Sequence, residues 1–127
     1  MLSINADIVC ELIDLAREFH AQEQVVIPET PGNPSEDWAA QLLAHHIDDT
    51  TLQQFRTKVA DLEPDQQWEL VALLWLGRED YTLEEWDEAV ALARDEWTPE
   101  TGDYLIAHPL LADFWREGLE LHGHSCE

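Results

Sequence analysis

Cations are what this sequence has least of. Lysine and arginine together number 6 against 28 aspartates and glutamates, a formal charge of −22, and Lys58 is the single lysine. A chain that binds a nucleic-acid backbone neutralises phosphates with cationic side chains, so nucleic acid is not expected as a partner. An anionic membrane surface is disfavoured for the same reason. A basic protein partner, cations, a halophilic source or solubility alone remain as reasons for the acidity.

Cysteine is nearly absent as well. Cys10 and Cys126 lie near opposite ends, with no CxxC between them. The expectation is therefore no disulfide framework and a reducing cytoplasmic location. No cationic segment precedes an apolar run at the N-terminus, where Asp7, Glu11 and Asp14 interrupt, so no signal peptide is expected. The longest apolar run, residues 70–76, is far too short to span a bilayer. Period-2 alternation of a half-buried sheet is missing. So are an EF-hand loop, a P-loop, G-x-G-x-x-G, G-x-S-x-G and H-E-x-x-H.

Hydrophobic residues, by contrast, make up 45% of 127 positions and include six tryptophans, enough for one domain with one core. The organising stretch is 63–97. Pro64 suits the first helical position, and Gly77 is expected to be the left-handed residue after the last turn. The run between them is apolar on all sides, which predicts a helix buried on all sides. Thr82-Leu83-Glu84-Glu85 reads as a capping box, with Tyr81 and Trp86 at staple positions. The helix it opens places Trp86, Val90, Ala93 and Trp97 on one stripe.

Other helices flank this pair. Asn5 caps a first helix over about residues 6–22, with Ile8, Leu12, Leu15 and Phe19 at helical spacing. Residues 24–34 read as a loop carrying Val26 and Ile27. Ser35 starts a second helix, and Asp48 or Asp49 a third that carries Leu52, Phe55, Val59 and Leu62. Thr98-Pro99 starts a short helix with Tyr104, and His108-Pro109 ends it. Leu110, Leu111, Phe114, Trp115 and Leu119 belong to a last helix. The expected fold is all-α: a compact bundle of six or seven helices around a buried central helix, with residues 1–121 as one domain and 122–127 as a tail.

Three segments carry a family resemblance: Leu74-Trp75-Leu76-Gly77-Arg78, Glu84-Glu85-Trp86, and His108-Pro109-Leu110-Leu111-Ala112-Asp113-Phe114 followed by Glu117-Gly118-Leu119. With these the chain resembles a small bacterial, mainly proteobacterial family of unknown function. Members typically show W-L/I-G-R-G, an acidic E/D-E-W and then Y-L-L-x-x-P-L-L-x-D-Y-L-E-E-G-L. The likeness extends over most of residues 2–121. It departs at Glu79, where glycine is usual, and in the tail. It implies an all-helical fold and transfers no catalytic residue.

The candidate ligand or interface residues are Arg78, Asp80, Glu85, Trp86, His108 and Asp113. Arg78 follows the buried helix in a chain with few cations. It either pairs with Asp80, Glu85 or Asp113, or presents a guanidinium to an anion in a pocket lined by Trp75, Trp86 and Tyr104. His122, His124 and Cys126 offer a weak zinc or nickel site, against the alternative of a frayed terminus. His45-His46 beside Asp48-Asp49 is a second such cluster. No nucleophile set or cofactor cradle is present, so no catalytic residue and no cofactor are expected. The functional expectation is a non-catalytic acidic interaction or regulatory protein that binds a basic partner, or pairs as a homodimer. Val26, Ile27 and Trp115 are candidates for an interface core. The alternative is a metal-dependent or small-ligand-binding enzyme using the acidic and histidine residues.

Overall fold

The computed structural model describes residues 2–21 and 49–126. Within them run α1 (Ala6–His20), α2 (Thr50–Ala60), α3 (Pro64–Gly77), a 3-10 turn (Leu83–Glu85), α4 (Trp86–Asp95), α5 (Thr101–Ile106) and α6 (Leu111–Leu121). The described residues contain no strand, and the all-α expectation holds. The expected helix from Ser35, Val26, Ile27 and the His45-His46 pair lie outside the described residues.

The caps predicted at Asn5, Asp49 and Thr82 form. The Asn5 side chain accepts the Asp7 amide at 2.8 Å and Asp49 accepts that of Leu52 at 2.9 Å, each satisfying a donor that the helix cannot. Glu85 accepts both the amide and the hydroxyl of Thr82, at 2.9 and 3.1 Å. The box opens a 3-10 turn rather than α4 itself, which begins at Trp86. Thr98-Pro99 likewise forms a turn, and α5 starts only at Thr101.

Helix α3 is the centre, as its composition requires. Every residue from 69 to 77 is buried. α4 and α6 pack along it and α5 touches it, while α1 packs on α2 and α6. Several polar groups that enter this core bring partners, while the Trp68 indole N–H is buried without a hydrogen-bond partner among the described residues. Glu69 accepts the amides of Ser3 and Ile4, at 2.9 and 2.8 Å to one oxygen. Gln67 donates to the carbonyls of Val59 and Leu62 and accepts from Trp97 Nε1 at 2.7 Å. Trp115 Nε1 donates to the Leu70 carbonyl at 2.9 Å. Each bond spares a buried group the cost of going unpaired.

The end of α3 corrects the role expected for Gly77. The helix closes in a Schellman motif whose left-handed position lies two residues later. The Asp80 amide bonds to the Trp75 carbonyl at 3.0 Å, and that of Glu79 to Leu76 at 3.1 Å. The left-handed residue is Glu79, with φ of 70°. Gly77 is still helical, and its missing side chain serves a different end: an added Cβ would lie 1.8 Å from the Phe114 carbonyl oxygen. Gly118 does the same from α6, where a Cβ would meet the Leu73 carbonyl oxygen at 2.8 Å. The two glycines let α3 and α6 approach backbone to backbone. The same Schellman pattern ends α6, with Gly123 at φ of 86° and the His124 amide on the Leu119 carbonyl at 2.9 Å.

A side chain at φ near 70° costs about 1–2 kcal/mol, whereas glycine adopts that conformation freely. Glycine also loses more entropy on folding. Glu79→Gly is therefore expected to raise stability by about 0.5–1 kcal/mol net, read as a higher urea midpoint at unchanged slope.

Candidate functional site

The Arg78 neighbourhood forms where α3 ends. Its guanidinium meets the Asp80 carboxylate at 2.7 Å, inside the same turn. Glu85 is occupied by Thr82, and Asp113 stands exposed in the first turn of α6, where its charge suits the helix dipole. Of the three partners considered for Arg78, the structure brings Asp80 to it.

Aromatic groups line the inner side. Trp75 Nε1 donates to the Tyr104 hydroxyl at 3.0 Å, and the Tyr81 ring leans on Trp75 with centroids 5.9 Å apart. Tyr104 meets His108 edge to face at 4.8 Å. His108 Nδ1–H donates to the Tyr104 carbonyl at 2.8 Å, a bond that fixes the tautomer. Burial, and then the nearby positive charge of Arg78, push the His108 pKa down to about 4. Burial raises the Tyr104 phenol. At neutral pH both rings are uncharged, and the guanidinium beside them is balanced by Asp80. This arrangement joins the α3–α4 connection to α5.

Trp86, placed with this cluster by the sequence reading, packs elsewhere. It is buried at the start of α4 and meets the His122 ring edge to face at 4.4 Å. Trp115 is fully buried, stacked on Phe55 at 6.0 Å, which removes it as an interface residue. Among the described residues the large apolar side chains most open to solvent are Leu92, Trp97, Leu110 and Leu121. Trp97, expected on the inner stripe of α4, is 38% exposed and held by its indole bond to Gln67.

The tail needs the plainest correction. Cys10 and Cys126 form a disulfide, with Cα atoms 5.6 Å apart across 116 residues of sequence. The packing of α1 on α6 brings the two ends together, which sequence distance conceals. Cys126 is thus committed to Cys10 and supplies no thiolate to His122 and His124. Among the described residues no group of three or more ligating side chains assembles. Burial lowers the His122 pKa, with the neighbouring His124 acting in the same direction.

Sequence reasoning also missed Glu69 and His20. The first binds amides 65 and 66 residues away, and the second places Nε2 at 2.8 Å from the Ile106 carbonyl. Neither pairing leaves a local signal. Burial lowers the His20 pKa, opposed by that bond.

His108 makes stability depend on acid. Its pKa is lower folded than unfolded, so the unfolded chain binds more protons between about pH 6.5 and pH 4. Stability is complete above the unfolded value and falls as pH drops through this window. The loss is on the order of 3 kcal/mol at most, and His20 adds to it in the same direction. Protonation of carboxylates relieves self-repulsion and opposes the trend. The readout is therefore a difference. The stability advantage of the parent over His108→Asn is expected to shrink between pH 7 and pH 4.5 in urea melts. A constant gap would contradict it.

A family model matches residues 52–124, and the chain belongs to that family, described as protein of unknown function, DUF3775. No curated protein matches it, and no solved structure matches it.

Proposed function

We propose that this DUF3775 member is a non-catalytic acidic interaction protein whose surface binds a basic partner. The carrying observation is how few cations remain to offset its carboxylates. Of the 6 basic residues, Arg56, Lys58, Arg78 and Arg94 are each engaged with a carboxylate: Asp103, Glu11, Asp80 and Asp95. The exposed faces of α1, α4 and α6 still carry Asp14, Glu18, Asp87, Glu88, Glu117 and Glu120. Such a surface generates a long-range negative field that steers a cationic partner and repels an anionic one. The motif residues support the reading from the other side. Gly77 and Gly118 set a helix crossing, Trp75 and Tyr104 hold each other, and Arg78 is balanced by Asp80.

The test is a pull-down from the native host with untagged protein at low and high salt, with light scattering on the purified chain. A basic partner retained at 0.1 M salt is expected to be released near 1 M, as the Debye length falls from roughly 10 Å to 3 Å. A clean monomer that retains nothing at low salt would remove the proposal. A salt-insensitive homodimer would replace it with self-association.

A further inference from the structure

We propose that the Cys10–Cys126 pair is a redox-responsive tether, whose reduction frees the C-terminal tail from α1 and leaves the helical core folded. Both cysteines are half-buried at an open groove of about 580 Å³, which Asp7, Glu11, Asp14, Arg17 and Ser125 also line. A reductant therefore has access, and exposed disulfides are the labile ones.

The fold does not depend on the bond to hold α1. Val9, Leu12, Ile13, Ala16 and Phe19 bury its inner face, Ser3 and Ile4 are bound to Glu69, and His20 is bound to Ile106. The tail has less. Its last backbone bond to α6 is the His124 cap, and Ser125 and Cys126 follow without regular structure. Both cysteines also fall outside the family-matched span of 52–124. The pair is an accessory to the core rather than part of it.

The exchange runs with a dithiol. One thiolate of the reductant attacks a sulfur of the pair, the S–S bond breaks and a mixed disulfide forms. The reductant's second thiolate then displaces the remaining cysteine. Two electrons and two protons pass to Cys10 and Cys126, and the reductant leaves as its own disulfide. Asp7, Glu11 and Asp14 outnumber the cations at the groove, Arg17 and the Lys58 paired with Glu11, so the residual charge disfavours an anionic attacker and favours a cationic thiol. A reducing cytoplasm would hold the tail free, and an oxidising compartment would hold it docked.

The full chain is equilibrated in glutathione redox buffers, alkylated and weighed, and hydrogen exchange is followed in both states. Reversible oxidation is expected. On reduction, exchange at the His124 amide, which bonds to the Leu119 carbonyl, should rise about tenfold or more, while residues 70–76 stay protected. Cys126→Ser should match the reduced chain with or without reductant. Cysteamine should reduce the pair about tenfold faster than mercaptoethanesulfonate at low salt, the gap closing near 1 M. A pair that never forms, or that survives excess dithiothreitol in the native state, would overturn the tether. So would reduction that leaves tail exchange unchanged, or that unfolds the core. Equal rates for the two charged thiols at low salt would remove the electrostatic selectivity.

Discussion

Gly77→Ala is expected to cost about 3 kcal/mol or more, a large share of the ~5–15 kcal/mol that holds a domain together. The new Cβ would sit 1.8 Å from the Phe114 carbonyl oxygen and 2.8 Å from the Phe114 Cα. Those are backbone atoms, so no rotamer change relieves the clash. α6 has to move off α3, and the packing along the crossing goes with it. Alanine favours a helix over glycine by about 1 kcal/mol, which offsets only part of this. Gly118→Ala should cost less, since its nearest contact is 2.8 Å. Gly102 is the control within the same chain. Its added Cβ would find its nearest neighbour at 3.5 Å, an ordinary contact, so Gly102→Ala should be neutral or slightly stabilising. Urea melts of the three variants test the order. Equal costs at Gly77 and Gly102 would mean that the helices do not approach as described.

Trp115→Ala is expected to cost about 3–5 kcal/mol. The indole is fully buried, stacks on Phe55 and donates to the Leu70 carbonyl. It thereby joins α6 to α2 and to the centre of α3. Trp115→Phe should recover most of the loss. The carbonyl of Leu70 keeps its bond within the helix ladder, so removing the indole donor leaves no orphaned acceptor. A near-zero cost for the alanine variant would place Trp115 on an open face and reinstate it as an interface residue.

These two variants mark what was legible in the sequence and what was not. Helix starts were legible because a cap is a local event. Asn5, Asp49 and the Thr82–Glu85 box bond within three residues of themselves. The burial of α3 was legible because an all-apolar helix has no face to give to water. Arg78 and Asp80 lie two apart, so their pairing was among the expected options. Gly77 was misread because a helix-terminal glycine and a close-packing glycine look alike until the partner helix is placed. The Cys10–Cys126 bond and the Glu69 contacts were invisible because each joins parts of the chain that only tertiary packing brings together. The segments that carried the resemblance are now legible in the same terms. In this chain Gly77 and Gly118 mark a distance between helices, and Trp75 and Tyr104 mark a hydrogen bond across them.

The enclosure of α3 has a consequence for synthesis. A chain emerging in order presents its most apolar helix well before the helix that covers it. Leu76 and Trp115 are separated by 39 positions. At about 5–20 residues per second the apolar run is uncovered for roughly 2–8 s. Ribosome-bound chains arrested before α6 are expected to bind a hydrophobic dye strongly, and chains arrested well past residue 121 weakly; equal binding would argue against the delay. During that interval the residues already made include Asp7, Glu11, Asp14, Glu18, Asp61, Glu63 and Asp65. Mutual repulsion between neighbouring nascent chains is then expected to oppose their association through the uncovered run, a consequence of the acidic composition that needs no folded surface.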